Sequence, residues 1–408
     1  MRRLRSNSIF SRRRAGKRDR WHFLRLGAEW DRTALPIYET AARGKCVPLL
    51  KTLLTTHCTN DCAYCSFRAG RKCLRQSWKE EKLARVTMHL WREGKIMGLF
   101  LTSSVCRDPD YTTERQLDTL RRLRNLGFTG YIHLRVMPGV SRYCIREAVE
   151  LADRVGVNLE APTPDAFDDL CPSKGDYKMD IIKRLEWIAE EVLRARRRAK
   201  DIGGVGFGSG RSGVDTQMIV GAVGETDWQH LKATTWLYKS LSLRRVYYSG
   251  FEPIERTPLE DWPPCPPHRE YRLYQSSFLM RDYGFSLRDF DRIVDDKGFL
   301  PNTDPKRVYV SKNMDLFPID LNEASYCDIV KIPRVGPMTA KKIMKARENT
   351  KVRHLSDLEK AIGPRLARAV AQYADLKEKR LTHWLSSPRQ AGSRCRDAPC
   401  GGDLLTRE

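Results

Sequence analysis

The sequence predicts an α/β protein, a partial (βα)6 TIM-like barrel followed by a small all-α domain on its C-terminal side. Two observations support this fold class. From residue 45 to residue 300, short apolar segments alternate with longer amphipathic ones, as in a parallel sheet whose strands are joined by helices. Beyond residue 300 this alternation stops and a compact helical region rich in lysine and arginine begins. The 408 residues are sufficient for one large and one small domain.

The predicted elements alternate regularly along the barrel. Short apolar runs predict strands, and a 3.6-residue periodicity predicts the helices between them. The predicted strands are 47–54, 96–105, 131–136, 155–160, a segment that starts at Thr216, and 245–249. The predicted helices are 79–91, 112–125, 142–153, 179–200 and 269–283. Because the carboxyl ends of parallel strands gather at one end of a barrel, we expect the chemistry to lie there.

The chain is predicted to contain four segments. Residues 1–44 form a basic N-terminal arm and lead-in, 45–300 the barrel, 301–377 the helical domain, and 378–408 a disordered tail. Residues 1–20 are crowded with arginine and serine, and three interpretations of them stay open. They form a disordered arm that binds polyanions, a transit peptide, or a start placed too far upstream.

Composition restricts the class of protein. Hydrophobic residues make up 41% of the chain, which is ordinary for a soluble protein, and no apolar run is long enough to span a bilayer. Twelve cysteines in a chain of this length do not form a disulfide scaffold, which favours a reducing compartment. The formal net charge of +23 favours a polyanionic partner such as DNA or RNA. We therefore expect a cytoplasmic protein without a membrane partner.

Three cysteines, Cys58, Cys62 and Cys65, lie close together directly after the first predicted strand. Thiolates prefer zinc, copper(I) or iron-sulfur clusters, and three of them on one loop leave one iron of a cubane cluster open to another ligand. A structural zinc site with His57 as the fourth ligand stays open as an alternative, although no second pair of cysteines with zinc-site spacing accompanies the loop.

Asn158 and Glu160 are two positions apart at the end of the predicted strand 155–160. Side chains at this spacing project from the same face of a strand, so both can reach a ligand in the barrel interior. The alternative is that they end the strand and begin a turn into the proline-containing segment 161–164.

The cysteine loop resembles the signature of the radical S-adenosylmethionine (SAM) superfamily, in which three cysteines have this spacing and an aromatic residue, here Tyr64, precedes the last. The resemblance implies a radical SAM barrel whose three cysteines hold a [4Fe-4S] cluster, with SAM on the open iron. It does not identify a catalytic residue. The cofactor-binding positions that it implies are Tyr64, Ser103 and Ser104 near the SAM amino group, Asn158 and Glu160 at the ribose hydroxyls, and Gln217 and Gly221 beside the adenine.

Segment 329–343 is predicted to form a helix, a tight turn and a second helix, and it resembles a helix-hairpin-helix motif. The amides of such a turn and the positive end of the second helix can take a nucleic-acid phosphate without reading a base. Arg334 stands where the usual Pro-Gly-x-Gly hairpin has its first glycine. A purely structural hairpin stays open as the alternative. The predicted nucleic-acid contacts are Arg334, Val335, Gly336, Lys341 and Lys342.

Three tyrosines near the end of the barrel, Tyr247, Tyr248 and Tyr271, are candidates for stacking on a nucleobase, because an aromatic face accepts any base. At least one of them is expected to be buried in the sheet instead.

Together, the cysteine loop, the later barrel segments and the hairpin resemble one subfamily, the DNA modification or repair radical SAM proteins associated with uracil-DNA glycosylase. The resemblance implies an enzyme that cleaves SAM to a 5′-deoxyadenosyl radical and abstracts hydrogen from a nucleic acid, with DNA favoured over RNA. It also implies an electron donor such as flavodoxin or ferredoxin, and uracil-DNA glycosylase as a partner. Two alternatives stay open: a radical SAM enzyme that modifies RNA or tRNA, and a non-catalytic iron-sulfur protein that binds nucleic acid.

Overall fold

The computed structural model describes residues 37–42, 45–201 and 208–376. The arm predicted for residues 1–20 and the tail predicted for 378–408 lie outside these described residues. The chain divides into two compact units, the first ending at Met314 and the second beginning at Asp315. No described helix has the length and the apolar composition needed to cross a membrane.

The first unit is built on one seven-stranded sheet whose strands follow chain order. Strand β1 (Ile37–Ala42) pairs antiparallel with β2 (Lys45–Leu53), and each strand from β2 onward pairs parallel with the next. Six parallel strands in sequential order confirm the predicted partial barrel, and β1 is an addition that was not predicted. The further strands are β3 (Gly98–Thr102), β4 (Tyr131–Arg135), β5 (Arg154–Gly156), β6 (Gly213–Val220) and β7 (Arg245–Gly250).

Helices connect the strands and follow the last one. Several begin where polar side chains cap them: Asp108 accepts from Tyr111 N, and Thr226 forms a capping box with Gln229. The helix predicted for 112–125 starts three residues earlier, at Pro109, because Asp108 caps it and a proline suits the first helical position. The helices are α1 (Glu80–Arg92), α2 (Pro109–Asn125), α3 (Arg142–Leu151), α4 (Pro164–Leu170), α5 (Lys183–Asp201, after a π-helical turn Tyr177–Ile182), α6 (Asp227–Ser240), α7 (Pro267–Asp282), α8 (Leu287–Asp291) and α9 (Pro305–Lys312).

The two faces of the sheet differ in chemistry. On β7, Tyr248 is buried and bonds Thr234 of α6, whereas its neighbour Tyr247 points to the other side and meets Arg154 of β5. Strands β5 and β7 are separated by β6, so this contact crosses a concave interior. The helix-facing side is an apolar core that includes Leu50, Leu99, Leu101, Ile132 and Leu134. The interior side is polar and carries most of the candidate site.

The second unit is a small helical domain. Its ends are joined where Ile319 N donates to Tyr373 O at 2.9 Å and Asp375 N donates to Ile319 O at 2.8 Å. Arg347 donates to two backbone carbonyls near the start of the unit, so this cation has a structural role. The helices are α10 (Tyr326–Lys331), α11 (Pro337–Asn349), α12 (Leu355–Ile362) and α13 (Pro364–Ala371).

Candidate metal and cofactor site

The loop that carries the three cysteines begins where β2 ends and is fixed to the end of β3. Leu54 N donates to Thr102 O at 2.8 Å, and Thr59 N donates to Val105 O at 2.8 Å. These bonds extend the pairing of β2 with β3 past both strands. The cysteines therefore lie at the carboxyl end of the parallel sheet, where α/β barrels place their active sites.

Arg75, which belongs to no sequence motif, braces this loop. Its Nη1 donates to Thr56 O at 2.6 Å and to Phe67 O at 2.7 Å, and its Nη2 donates to Arg68 O at 2.8 Å. These carbonyls come from both sides of the three cysteines, so one guanidinium ties the two ends of the loop together.

The three thiols lie close to one another. Burial raises the pKa of Cys58 and raises the pKa of Cys65 to about 12, and the nearby Cys62 adds to both shifts. In the ranges that the structure describes, no three side chains of His, Cys, Asp or Glu are already gathered as a metal-binding group. A metal that binds here must displace the protons of the thiols, because the thiolates are the ligands. As a donor set, three soft thiols on one braced loop fit an iron-sulfur cluster.

A fourth thiol contacts this loop. Cys171 follows α4, is fully buried, and forms a hydrogen bond with Cys62 that lowers the pKa of Cys62. Burial, and then the contact with Cys62, raise the pKa of Cys171 well above its ordinary value. Ala63 N also donates to Leu170 O at 2.8 Å, which packs the end of α4 on the loop. No sequence motif indicated this contact.

Glu160 is the centre of a polar cluster beside the cysteines. Its side chain is fully buried, accepts a hydrogen bond from Tyr64 Oη at 3.0 Å, and forms an ion pair with Lys174. Burial alone would lower the pKa of Lys174, but the Glu160 carboxylate raises it well above its ordinary value. The structure thus brings together Tyr64 and Glu160, two of the predicted cofactor residues, and adds Lys174, for which the sequence has no motif.

The backbone around Asn158 and Glu160 differs from the prediction. Strand β5 ends at Gly156 instead of 160, and Glu160 has a φ of 65°, which breaks the alternation of a strand. Hydrogen bonds to β6 hold this conformation: Glu160 N donates to Gln217 O at 2.9 Å and Ile219 N donates to Glu160 O at 2.7 Å. The two predicted side chains consequently have separate partners at the same end of the barrel.

Asn158 is held from the barrel interior. Its Oδ1 accepts from Arg135 Nη1 at 2.8 Å, and Arg135 Nη2 donates to Asp215 Oδ2 at 3.2 Å. Asp215 Oδ2 also lies 2.8 Å from His133 Nε2. Burial would raise the pKa of Asp215, but the neighbouring Arg135 and His133 lower it to about 2. For His133, burial lowers the pKa to about 4. At neutral pH a charged Arg135–Asp215 pair therefore orients Asn158, and His133 is neutral.

The other predicted cofactor residues line the same strand ends. Ser104 N donates to Thr55 O at 3.1 Å, which sets Ser103 and Ser104 beside the start of the cysteine loop. Gln217 is half-buried on β6, and its carbonyl is already used by Glu160. Gly221 follows β6 with a φ of 83°, a conformation that favours glycine, and its N–H donates to the Glu225 carboxylate.

Of the three tyrosines considered for base stacking, only two are accessible. Tyr248 is buried between α6 and α7, so it cannot take a base. Tyr247 is half-buried in the barrel interior, and the side chain of Tyr271 on α7 is 57% exposed.

The predicted nucleic-acid hairpin lies between α10 and α11. Arg334 is exposed at the turn with a φ of 68°, and Gly336 precedes α11, whose first turn has no side-chain cap. Uncapped amides at a helix start can bind a phosphate. Val335 differs from the others because its side chain is buried and its N–H donates to Ile332 O at 3.1 Å within the turn. The exposed Lys341 and Lys342 follow on α11.

A second hairpin, which the sequence analysis did not identify, joins α12 to α13. Gly363 has a φ of 83° and precedes Pro364, and again no side chain caps the first turn of the following helix. A glycine before a proline between two short amphipathic helices was the signal that could have indicated it.

Comparison with known proteins finds one family model and several solved structures. A family model described as "Helix-hairpin-helix motif" matches residues 317–373, which confirms the predicted motif and covers both hairpins. No curated protein matches the chain. Among solved structures, the chain is similar to methylornithine synthase (PylB), with 16% identity and a TM-score of 0.43 over 56% of this chain and 60% of the other.

The chain is also similar to HydG, a maturase of the [FeFe]-hydrogenase, with 11% identity and a TM-score of 0.44 over 79% of this chain and 80% of the other. HydG from Carboxydothermus hydrogenoformans gives 12% identity and a TM-score of 0.45, over 79% and 76%. The chain spans about 60% of the length of the methylornithine synthase structure. Similarities of this size do not establish a common activity, so the function has to be inferred from the site itself.

Proposed function

We propose that the protein is a radical SAM enzyme that acts on nucleic acid, with DNA favoured over RNA as the substrate. One observation carries the proposal: the braced three-cysteine loop meets the Tyr64–Glu160–Lys174 cluster at the carboxyl ends of the barrel strands. Soft thiols suited to iron and polar groups suited to a charged cofactor thus share the end of the barrel where active sites are found.

Cys58, Cys62 and Cys65 would hold a [4Fe-4S] cluster with an open iron for SAM. When bound, the cluster and SAM together supply reductive, hydrogen-abstracting radical chemistry. The protein's own residues bind and orient the cofactor. Carboxylate and amide oxygens of Glu160 and Asn158 are suitable acceptors for ribose hydroxyls, and Lys174 offers a cation for a carboxylate group.

The barrel interior keeps these groups in place. Arg135, itself fixed by Asp215, donates to Asn158 and so limits the rotation of its amide. The end of α4 covers the loop next to Cys62, which keeps water away from that side of the site.

The nucleic-acid substrate is proposed from the second unit and the charge. The region matched by the helix-hairpin-helix model presents two uncapped helix starts with exposed basic residues nearby, and the whole chain has a net charge of +23. Following the sequence resemblance, we propose a flavodoxin or ferredoxin as the electron donor and uracil-DNA glycosylase as a partner. From the cysteine content of the chain we propose a reducing, cytoplasmic location.

The test is anaerobic reconstitution with iron and sulfide, reduction, and incubation with SAM and either duplex DNA or structured RNA. Mass spectrometry of the digested nucleosides should reveal a SAM-dependent mass change in DNA. A change in RNA alone would support the RNA-modifying alternative. If SAM is cleaved and neither polymer changes, the nucleic-acid substrate is wrong.

A second candidate function is a non-catalytic metal-binding protein, and one observation favours it. Cys171 lies against Cys62, so four thiols are available on adjacent segments, as in a closed structural site. A closed site leaves no open position for SAM. Retention of the cluster in a Cys171→Ser variant that still binds SAM would exclude this candidate.

A further inference from the structure

A group of arginines lies at the amino ends of β5, β6 and β7, at the opposite end of the strands from the cysteine loop. These residues come from different segments: the start of β5, helix α5, the loop before β6, the residue before β7, and the last turn of α7. We call the group the arginine cluster. Its members are Arg154, Arg196, Arg211, Arg244 and Arg281.

The start of β6 brings two of these side chains together. A methyl group placed on Gly213 would lie 3.1 Å from Arg244 Cβ and 3.3 Å from Arg196 Nη2. The two arginines therefore flank the same backbone position from α5 and from the strand beside it. Arg244 N donates to Val214 O at 2.8 Å, which fixes this arrangement in the sheet.

Two further members reach the same place through side-chain hydrogen bonds to backbone carbonyls. Arg154 Nη2 donates to Ser212 O at 3.1 Å, and Arg281 Nη1 donates to Arg244 O at 3.2 Å. With Arg211 in the loop beside Ser212, the cluster surrounds a single short turn.

The acidic residues nearby balance only part of this charge. Burial would lower the pKa of Arg154, for example, but Asp215 helps to raise it. Asp153 is fully buried and is shared by Arg211, Arg124 and the amide of Ile132, while Asp282 pairs with Arg281. Across the described ranges, neither Arg196 nor Arg244 forms an ion pair.

The arginines consequently repel one another. Burial, and then the neighbouring Arg244, lower the pKa of Arg196. Burial also lowers the pKa of Arg124, and Arg211 adds to this shift. Like charges held together oppose folding, whereas the amino face of a barrel normally serves stability. A cluster of arginines that lowers stability on this face is best explained by a bound polyanion.

We propose that the arginine cluster binds the phosphodiester backbone of a nucleic acid, away from the reacting nucleotide. Because the guanidiniums come from several segments around one turn, they suit a chain of repeating phosphates better than one small anion. The inference rests on the proposed nucleic-acid substrate and adds a second binding surface to it.

The experiment uses the full chain with Arg196→Gln and Arg244→Gln combined. Affinity for a fluorescein-labelled DNA duplex, and separately for a single-stranded RNA, is measured by anisotropy across a salt titration. The slope of log affinity against log salt should become shallower by about two, roughly one per lost phosphate contact. The matched control is Arg85→Gln with Arg122→Gln, because each of these exposed arginines pairs with a carboxylate four residues away on its own helix. The control should keep the wild-type slope.

The thermal midpoint of the double variant should equal or exceed that of the wild type, since a repulsion is removed. An unchanged salt slope on both polymers, or a lower midpoint with unchanged affinity, would overturn the inference. A loss of binding to phosphatidylserine vesicles with no loss on nucleic acid would also overturn it, in favour of a lipid surface. If the wild type binds neither DNA nor RNA, both the arginine-cluster proposal and the proposed nucleic-acid substrate fail. If the wild type binds nucleic acid and the double variant keeps the wild-type salt slope, only the arginine-cluster proposal fails.

Discussion

Replacing Asp215 by Asn tests how the barrel interior supports the candidate cofactor site. Asp215 is fully buried, and its Oδ2 lies 2.8 Å from His133 Nε2 and 3.2 Å from Arg135 Nη2. The neutral amide leaves the Arg135 guanidinium buried without its counter-charge. Removing one partner of a buried ion pair costs about 3–5 kcal/mol, so we expect the free energy of unfolding at neutral pH to fall by about 3 kcal/mol.

The same substitution should change how stability depends on pH. The pKa of Asp215 is about 2 in the folded protein against an ordinary 3.8, so its contribution is present above pH 3.8 and is lost as the pH falls towards 2. A shift of about two pKa units corresponds to roughly 2.5 kcal/mol. His133, with a pKa of about 4 against 6.5, binds its proton first in the unfolded chain, so it causes a separate loss between these values. The variant should lack the first loss, and the second should extend to lower pH, because Asp215 raises the pKa of His133 in the folded wild type.

Urea unfolding followed by far-UV circular dichroism across this pH range measures both effects. Asp282→Asn is the control, because Asp282 is 41% exposed and pairs with Arg281 at the surface. Such pairs are worth about 0–1 kcal/mol, so the control should change little. SAM affinity should fall in the Asp215 variant, since Arg135 loses the carboxylate that aims it at Asn158. If both variants lose the same stability at neutral pH, the interior pair does not act as described.

Three further predictions follow from individual positions. Cys62→Ser should abolish cluster binding, whereas Cys171→Ser should keep the iron and sulfide content of the wild type. The reason is that three thiolates are enough for a cluster with an open iron. Loss of iron and sulfide in both variants would instead indicate a four-thiol site. Gly221→Ala should lower the thermal midpoint more than Gly224→Ala. Both glycines have a positive φ, but only at Gly221 would the added methyl lie 3.0 Å from the Cβ of Cys265. Equal midpoints for the two variants would contradict this prediction. Arg334→Gly should stabilise the second unit by about 0.5–1 kcal/mol, because the φ of 68° at Arg334 strains a residue with a side chain. The slope of log nucleic-acid affinity against log salt should become shallower by about one, because one cation is lost. A less stable second unit would show that the Arg334 side chain has a structural role.

The sequence was sufficient for features that depend on local pattern. The alternation of apolar strands and amphipathic helices gave the sequential parallel sheet, because each unit carries its own periodicity. The position of the cysteine loop at a strand end followed from the same pattern. The first helix-hairpin-helix turn was also visible, since it depends on a few adjacent residues.

Features that depend on contacts between distant segments could not be predicted. Lys174 and Cys171 have no motif, and they reach Glu160 and Cys62 only because the end of α4 folds over the loop. The strand alternation predicted for Asn158 and Glu160 failed at Glu160, whose positive φ is imposed by hydrogen bonds from β6. Tertiary hydrogen bonding overrode local propensity at that position.

The interior network is a further example. Arg135 and Asp215 lie 80 residues apart on strands that are not neighbours, so their pairing becomes visible only when the sheet curves. Without that pairing, the sequence gives no reason to connect either residue with Asn158.

The account depends most directly on whether this protein cleaves SAM at the three-cysteine loop. The measurement is the amount of 5′-deoxyadenosine formed by the anaerobically reconstituted and reduced protein, quantified by mass spectrometry beside a Cys58→Ala variant prepared in the same way. We predict 5′-deoxyadenosine from the wild type and none above background from the variant. Stoichiometric zinc without iron in the wild type, or equal 5′-deoxyadenosine from both proteins, would contradict the account.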